Sequence, residues 1–318
     1  MSTYLGIDLG GTNIAAGVVN GDYKLLEKFQ LPTRNTRSFE EIVASLAEAA
    51  RGALAAAGVS EGDIGYVGLG VPSSINPENQ HVVLANNLSW RDVDVISEFR
   101  KHWDIPVHVA NDADCAALGE AMAGAAKAYR SVLMVTLGTG VGGGLVIDGK
   151  LFLGGDGYSI EPGHSLLVED GFPCTCGRHG CIESYASVTA LIRQTIDMML
   201  VNRHSKMWDE CGRDLNRVNG RTAFDAARKG DAAGRQVVDN YIHHLGASIA
   251  SLVTAYRPHA VLIGGGVSNE GEYLLGPLRK IVNSSYYANG IVPEPAILKA
   301  EMGNDAGIVG AALLGLQR

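Results

Sequence analysis

The densest group of reactive side chains lies in a 23-residue segment near the middle of the chain. Three thiols fall within eight residues there, and an imidazole precedes them by ten positions. Thiolate sulfur and imidazole nitrogen are the ligands that tetrahedral zinc prefers. Gly177 and Gly180 allow the tight loop that such a site needs. The pattern predicts a zinc site with four ligands: His164, Cys174, Cys176 and Cys181.

A disulfide, or thiols that are simply buried, is the alternative interpretation of these cysteines. The chain has five cysteines, an odd number for a framework of bridges. A reducing compartment also favours metal-bound thiolates over disulfides. Cys115 and Cys211 lie far from the other three, and we expect them to be packed or incidental thiols.

A possible phosphate-binding turn lies close to the N-terminus. Leu5 to Leu9 and Ile14 to Val19 have the pattern of two strands of a hairpin, and the turn between them is Gly10-Gly11-Thr12-Asn13. Two glycines let backbone N–H groups approach an anion, and the Thr12 and Asn13 side chains add donors. Asp8 ends the first strand, where a carboxylate can hold magnesium directly or through water. A plain hairpin turn is the alternative.

A second hairpin of the same type occurs about 130 residues later. Its strands are residues 131–136 and 145–147, and its turn contains Gly138, Thr139 and Gly140, with Thr136 at the end of the first strand. Two such hairpins suggest a duplicated architecture in which each lobe presents one turn to a cleft. Neither turn is a P-loop, and neither is a dinucleotide fingerprint, because each leads into a strand.

Two further strand ends carry candidate site residues. The strand 107–110 ends at Asn111 and Asp112, immediately before an alanine-rich helix. Asp112 is therefore placed like a catalytic carboxylate, although either residue can instead serve only as a helix cap. The strand 260–263 opens into a turn around Gly265, whose bare backbone can accept a flat adenine ring or can be purely structural.

The remaining elements are expected to support these sites. Ser38 and Glu41 form the pattern of a capping box before a helix that Gly58 closes. A long apolar helix should end before Pro258. A small-residue helix capped by Asp305 should pack back on a sheet.

Length and composition limit the class of protein. The 318 residues suit two lobes, and 46% hydrophobic content with 41 glycines indicates a globular α/β protein with many turns. A net charge of -8 without a basic patch argues against nucleic-acid partners. The first strand begins near Tyr4, and no apolar run reaches about 18 residues. We therefore expect a cytoplasmic protein without membrane partners.

Together these motifs resemble the ROK family (repressors, open reading frames and sugar kinases) across nearly the whole chain. The combination of Glu-Pro-Gly-His with the Cys-x-Cys-Gly-x-x-Gly-Cys-x-Glu run is the specific part of the resemblance. Within the family, the sequence is most similar to bacterial glucokinases. The resemblance implies the actin-like ATPase (RNase-H-like) fold, with two lobes around a cleft and a zinc-binding loop. The expected lobes are residues 1–113 plus 303–318, and residues 114–302.

The resemblance also implies an activity and roles for residues. It implies ATP-dependent phosphorylation of a hexose with Mg²⁺, a structural Zn²⁺ and a homodimeric state, with Asp112 as the general base. The implied hexose ligands are Asn111, Asp112, Glu161, His164 and Glu183. The implied ATP contacts are Gly10, Gly11, Thr12, Thr136, Gly138, Thr139 and Gly265.

The sequence departs from the family pattern in two places. Asn13 stands where many relatives carry Lys, which removes a positive charge beside the first turn and shifts the burden to magnesium. Ser73 and Ser74 stand where Pro-Gly is common, so the choice of hexose is open.

Glucose is the expected substrate, and four alternatives remain. The first two are a kinase for mannose, fructose or allose and a kinase for an N-acetylhexosamine. The third is a transcriptional repressor or sugar sensor, for which the sequence leaves no space ahead of Asp8 for a winged-helix domain. The fourth, a zinc hydrolase, is disfavoured because four protein ligands leave no position for a catalytic water.

Overall fold

A computed structural model describes residues 2–317. The strands are β1 (Thr3–Leu9), β2 (Asn13–Asn20), β3 (Leu25–Pro32), β4 (Val67–Val71), β5 (Ser74–Ile75), β6 (Val82–Ala85), β7 (Trp90–Val93), β8 (Val107–Asn111), β9 (Ser131–Leu137), β10 (Val141–Ile147), β11 (Lys150–Leu151), β12 (Ala260–Gly264) and β13 (Ala296–Lys299). The helices are α1 (Phe39–Ala57), α2 (Val95–Arg100), α3 (Asp112–Met122), α4 (Glu183–Ala186), α5 (Val188–Val201), α6 (Met207–Glu210), α7 (Thr222–Arg228), α8 (Ala232–Tyr256), α9 (Glu272–Ser285) and α10 (Asp305–Ala312).

The first sheet has the strand order β3-β2-β1-β4-β8. The three strands β1 to β3 pair antiparallel, whereas β4 and β8 continue the sheet parallel to β1. In the register, Asp8 lies opposite Gly70, and Gly70 lies opposite Ala110. The carboxyl ends of β1, β4 and β8 therefore share one edge of the sheet, and the candidate residues that follow these strands lie along it.

The second sheet repeats this arrangement with the order β11-β10-β9-β12-β13. Numbered from its own first strand β9, its order is again third, second, first, fourth, fifth. β10 and β11 pair antiparallel, and β12 and β13 pair parallel, as in the first sheet. The duplication predicted from the two hairpins is thus present in the strand order. A small third sheet, β5-β6-β7, follows β4.

The contacts divide the chain into two compact units. The first comprises Met1–Met134, Gly144–Ile160 and Ala300–Arg318, and the second comprises Val135–Gly143 and Glu161–Lys299. The division passes through β9 and β10 and assigns α3 to the first unit. The lobe boundaries expected from the sequence, at 113/114 and 302/303, stay a prediction about folding domains.

Helix α1 shows how local sequence sets an element of the first unit. Ser38 accepts a hydrogen bond from the Glu41 N–H and Glu41 accepts one from the Ser38 N–H, so the predicted capping box is confirmed. Gly58 ends the helix in the left-handed conformation with φ 65°. The apolar face of α1 is buried in the same core as strands β1, β2 and β4.

The C-terminal helix α10 packs on the first sheet through glycines, as the sequence predicted. A Cβ atom on Gly6 of β1 would lie 2.0 Å from the Ile308 carbonyl oxygen, and one on Gly68 of β4 would lie 1.7 Å from that of Ala311. Only glycine permits this approach. The predicted cap by Asp305 is wrong, because Asp305 is the first residue of the helix and its carboxylate pairs with Lys28 Nζ at 2.6 Å.

The second unit contains the long helix. α8 ends at Arg257 in the left-handed conformation, one residue before Pro258, as predicted. Its buried side chains include Tyr241 and Leu245. In the part of the chain that the structure describes, no helix has both the length and the apolar character needed to cross a membrane.

Candidate functional site

The first glycine turn forms between β1 and β2 as predicted. The Gly10 N–H donates to the Asn13 carbonyl at 2.9 Å, which closes the turn, and the Thr12 and Asn13 side chains are exposed. Such a turn offers backbone N–H groups at a sheet edge, the geometry in which anions bind. Asn13 thus presents an exposed amide beside this turn.

Asp8 lies in β1, two residues before this turn. Burial, and next the nearby carboxylate of Asp112, raise the pKa of Asp8 to about 7. The first turn of α10 also approaches it closely, since a Cβ atom on Gly307 would lie 2.8 Å from Asp8 Oδ2. The first sheet edge therefore holds two carboxylates close enough to repel each other. A divalent cation would relieve this repulsion.

Asn111 and Asp112 divide the two roles that the sequence left open. The Asn111 side chain caps α3, accepting from the N–H groups of Ala113 at 2.7 Å and Asp114 at 3.3 Å. The Asp112 carboxylate also accepts from Ala113 N–H, at 2.9 Å. Burial nevertheless raises the pKa of Asp112 above its ordinary value. Asn111 supplies the cap, and Asp112 is a half-buried carboxylate with increased basicity.

The departure at Ser73 lies beside Asn111. The Asn111 amide donates to the Ser73 carbonyl at 3.0 Å, which fixes the cap residue on the loop that follows β4. Ser73 itself is buried, with 6% of its surface exposed. The loop that differs from the family pattern thus contacts a candidate hexose ligand directly.

The second glycine turn, in the second unit, is closed by a backbone hydrogen bond that spans fewer residues than in the first, between residues two positions apart instead of three. The Gly138 N–H donates to the Gly140 carbonyl at 3.0 Å. Thr136 is half-buried one residue before the end of β9, and Thr139 is exposed at the tip of the turn. Both predicted turns are therefore closed by a backbone hydrogen bond from their first glycine, and they differ in the number of residues enclosed.

Gly265 lies against the strand that leads into this second turn. It has φ 83°, and a Cβ atom there would lie 2.1 Å from the Leu137 carbonyl oxygen. Both the conformation and the approach require glycine. The tertiary structure thus brings the predicted adenine turn to the end of β9, beside the residues predicted to hold phosphate.

The four predicted metal ligands form one cluster. Their ligand atoms all lie within 4.8 Å of one another. Cys176 Sγ is 3.7 Å from Cys181 Sγ, and His164 Nδ1 is 3.5 Å from Cys174 Sγ. A tetrahedral zinc with Zn–S near 2.3 Å and Zn–N near 2.0 Å requires edges of about 3.8 Å and about 3.5 Å. The cluster has the dimensions of a zinc site.

The thiols in this cluster are not paired as disulfides. A bridge requires sulfur atoms about 2.05 Å apart, and all five cysteines of the chain are free. The backbone N–H of Arg178, with further hydrogen bonds from its neighbours, lowers the pKa of Cys176 to about 6. Burial raises the pKa of Cys181. The donor set fits a thiophilic cation, with His164 binding through Nδ1.

Local backbone features build the metal loop. Pro162 begins a short 3-10 helix that ends at His164. Gly177 and Gly180 have φ of 85° and 76°, as the sequence led us to expect, and Gly180 also lies against the Val168 carbonyl. The Arg178 guanidinium donates to the His164 carbonyl and ties the two halves of the loop together.

Glu183 links the metal loop to the second glycine turn. Its Oε2 accepts from the Val141 N–H at 3.0 Å, and its Oε1 accepts from Thr175 Oγ1 at 2.8 Å. A Cβ atom on Gly140 would lie 2.2 Å from Glu183 Oε2. Thr175 lies between two metal-ligand cysteines in the sequence, and no local pattern predicts its bond to Glu183. Glu161 is exposed at the start of the 3-10 helix.

The duplicated five-stranded sheets, each opening with a hairpin whose turn can bind phosphate, define the class of protein. This architecture is the actin-like ATPase fold in an α/β chain.

Comparisons with known proteins identify the family. The model of the ROK family matches residues 4–318, and the chain belongs to this family. It is 34% identical over 316 residues to a glucokinase of Halalkalibacterium halodurans, covering 98% of this chain and 94% of the relative. It is 30% identical to an N-acetyl-D-glucosamine kinase of Haemophilus influenzae, covering 99% and 100% of the two chains.

A solved structure agrees with both the sequence and the fold. The ROK family glucokinase from Streptomyces griseus, in complex with glucose and AMPPNP, superposes with a TM-score of 0.83 at 34% identity and covers 99% of this chain and 100% of that one. With relatives of this similarity, the chain is a phosphotransferase with an alcohol acceptor.

Proposed function

We propose that the protein transfers the γ-phosphoryl group of ATP to a hexose hydroxyl, with glucose as the preferred hexose and glucose 6-phosphate as the product. The observation that carries this proposal is the half-buried Asp112, with its raised pKa, at the edge that also holds Asp8 and the first glycine turn. The similarity to a glucokinase that binds glucose and AMPPNP supports it.

In this proposal Asp112 is the general base. Phosphoryl transfer asks little covalent chemistry of the protein, because it needs an aligned hydroxyl, an acceptor for its proton and compensation of the phosphate charge. A carboxylate with a raised pKa accepts a proton more readily than an ordinary one. The cap by Asn111 and the bond to Ala113 N–H hold Asp112 at the start of α3.

The two glycine turns and Mg²⁺ offset the charge of the nucleotide. We assign the phosphates to the turn formed by Gly10, Gly11 and Thr12 and to the turn formed by Gly138, Thr139 and Gly140, with Thr136 and Gly265 as further ATP contacts. Asp8 and Asn13 complete the first turn, and Asp8 would hold Mg²⁺. The raised pKa of Asp8 supports this, since a divalent cation would stabilise the buried carboxylate.

The hexose would bind to Asn111, Glu161, His164 and Glu183. His164 has a defined arrangement for this role, because a metal on Nδ1 leaves the proton on Nε2, which can donate to a hydroxyl. Glu183 is held by two hydrogen bonds. These assignments follow the family resemblance.

Zinc in this proposal is structural. His164, Cys174, Cys176 and Cys181 would hold it, and four protein ligands fill a tetrahedron. Bound zinc would fix the loop that carries His164 and Glu183, and it would supply no activated water. We also propose a homodimer, which light scattering on purified protein will test.

A panel of hexoses with coupled ADP detection tests the proposed function. We expect ATP-dependent turnover, with the highest kcat/KM for glucose among glucose, mannose, fructose, allose, N-acetylglucosamine and N-acetylmannosamine. A preference for an N-acetylhexosamine would contradict glucose as the substrate. It would favour an N-acetylhexosamine kinase, the activity for which the Haemophilus influenzae relative is named. No turnover with any sugar, in a folded protein that binds sugar, would favour a sensor.

A further inference from the structure

The carbonyl oxygens of the first glycine turn are held by one residue from outside it. Thr33 Oγ1 donates to the Gly10 carbonyl at 2.6 Å, and the Thr33 N–H donates to the Thr12 carbonyl at 2.8 Å. Thr33 follows β3 directly and is fully buried. A single threonine thus binds two carbonyl groups of the turn, those on either side of Gly11.

Thr33 is itself fixed in position. Its own carbonyl accepts from Arg37 Nη2 at 2.7 Å and Arg37 Nε at 3.2 Å. The Arg37 guanidinium also donates to Ser45 Oγ at 3.0 Å, in helix α1. The turn is therefore connected through Thr33 and Arg37 to the body of the first unit.

The second glycine turn has its carbonyl oxygens held in the same way. The Val188 N–H donates to the Gly138 carbonyl at 2.9 Å, and Thr189 Oγ1 donates to the Thr139 carbonyl at 2.7 Å. Both donors belong to the first turn of α5. In each unit, one backbone N–H and one threonine hydroxyl bind the two turn carbonyls.

This pairing decides which groups of each turn face a ligand. A carbonyl oxygen directed at a phosphate would repel it, whereas an N–H group attracts it. Among residues 2–317, no acceptor pairs with the N–H of Gly11 or Thr12, or with that of Thr139 or Gly140. Each turn therefore has two carbonyl groups engaged by donors from outside it and two N–H groups that stay available to a ligand.

We propose that Thr33 and Thr189 are positioning residues for nucleotide binding, which hold the carbonyl groups of the two glycine turns away from the phosphates. Neither threonine needs to touch the nucleotide. The inference rests on the proposed function, because it takes the two turns as the sites of ATP phosphates. It adds that the hydroxyl groups outside the turns set the affinity for the nucleotide.

Calorimetric titration with AMPPNP and Mg²⁺ tests this on the full chain. Thr33→Val and Thr189→Val keep the shape of the side chain and remove the hydroxyl. Each should weaken AMPPNP binding between about 3-fold and about 10-fold, which corresponds to one lost hydrogen bond. Glucose binding without nucleotide should be unchanged. Thr33→Ser and Thr189→Ser restore the hydroxyl and should bind AMPPNP within about twofold of wild type.

Two control variants remove comparable hydroxyl groups elsewhere. Thr195 is fully buried and donates to the Leu191 carbonyl at 2.7 Å, so Thr195→Val matches Thr33→Val. Thr254 is exposed, donates to the Ala250 carbonyl at 2.9 Å and accepts from the Tyr287 N–H at 3.1 Å, so Thr254→Val removes at least as many hydrogen bonds as Thr189→Val. Both controls should bind AMPPNP as wild type does, whatever their melting temperatures.

The outcomes separate this inference from the proposed function. Wild-type AMPPNP affinity in folded Thr33→Val and Thr189→Val, or equal weakening in the controls, overturns the positioning role. If Thr33→Val does not fold, the exposed Thr189 position carries the test. If wild type binds AMPPNP but phosphorylates no hexose, the proposed function is wrong. The AMPPNP affinities of the threonine variants, compared with those of wild type and the controls, still test the positioning role. If wild type does not bind AMPPNP, the inference is overturned.

Discussion

Asp112 and Asn111 show how adjacent residues at one strand end take different tasks. The side-chain oxygen of Asn111 accepts hydrogen bonds from the backbone of α3, whereas burial raises the pKa of Asp112. A cap tolerates either side chain, but a base requires a carboxylate. The local division of labour therefore favours Asp112 for chemistry.

Replacing the general base tests that division directly. Asp112→Asn should lower kcat about 10²-fold to 10⁴-fold and leave the glucose dissociation constant within a few-fold of wild type, because the amide keeps the shape and loses the basicity. Asp104→Asn, at an exposed surface ion pair, is the control and should keep wild-type kcat. A near-normal kcat in Asp112→Asn would show that Asp112 is not the general base.

The raised pKa of Asp8 predicts a pH dependence of stability. Its pKa is about 7 in the fold against an ordinary value of 3.8, so between these values the unfolded chain has released a proton that the folded chain retains. Stability therefore falls as pH rises from about 4 to about 7, by at most about 4 kcal/mol. Below and above that window Asp8 contributes no slope.

Urea unfolding of Asp8→Asn without Mg²⁺ measures the stability that the buried Asp8 carboxylate costs as pH rises. The amide at position 8 does not titrate, so the free energy of unfolding of the variant relative to that of wild type should increase between pH 4 and pH 7 and then level off. Asp104→Asn should show no such trend. If the difference between Asp8→Asn and wild type is the same at pH 4 and pH 8, the carboxylate of Asp8 is not destabilised by burial.

The metal loop is the element that connects most of the predicted site residues of the second unit. Its ligands are close in sequence, and Glu183 connects them to Val141, the first residue after the second glycine turn. Order in the loop should therefore affect both hexose binding through His164 and nucleotide binding through the turn. A metal loop that only stabilised its own residues would affect neither hexose binding nor nucleotide binding.

Removing one metal ligand tests this connection. Cys176→Ser should lose bound zinc in elemental analysis and weaken glucose binding about tenfold or more, since the loop that positions His164 loses its order. Cys211→Ser changes a buried cysteine outside the cluster and should retain zinc and affinity. Verified loss of zinc with unchanged glucose affinity would show that the metal does not support the hexose site.

The molecule as a whole repeats one sheet topology, and in the first unit the chain closes on itself. Helix α10, near the C-terminus, packs on β1 and β4, close to the N-terminus. Against α3 the packing is equally close, since a Cβ atom on Gly310 would lie 1.6 Å from the Cys115 carbonyl oxygen. This packing supports the helix and strands that carry Asp112 and Asp8.

Filling the contact between α10 and the sheet should destabilise the fold. Gly68→Ala places a methyl group against the backbone of Ala311, which cannot move without displacing α10, and should cost about 3 kcal/mol or more. Gly62→Ala has open space at its Cβ position and should change stability by less than about 0.5 kcal/mol. Denaturant unfolding compares the two; equal stability would show that the sheet and α10 are not tightly packed.

The sequence by itself determined the features that depend on neighbouring residues. The spacing of Cys174, Cys176 and Cys181 predicted the cluster because a short loop with glycines leaves few other arrangements of three thiols. The Ser38 capping box follows from hydrogen bonds over three residues. Asp305 was misassigned by the same reasoning, since a distant Lys28 competes for its carboxylate.

The tertiary structure alone decided the contacts between distant segments. Glu183 meets Val141 across 42 positions, and Thr33 meets Gly10 across 23. Gly265 lies against Leu137 only because β12 pairs beside β9 in the second sheet. No local pattern marks these contacts, because strand order and helix packing decide which distant residues meet. The sequence therefore identified the side chains that could bind ligands or do chemistry, and the fold determined which residues hold them in place.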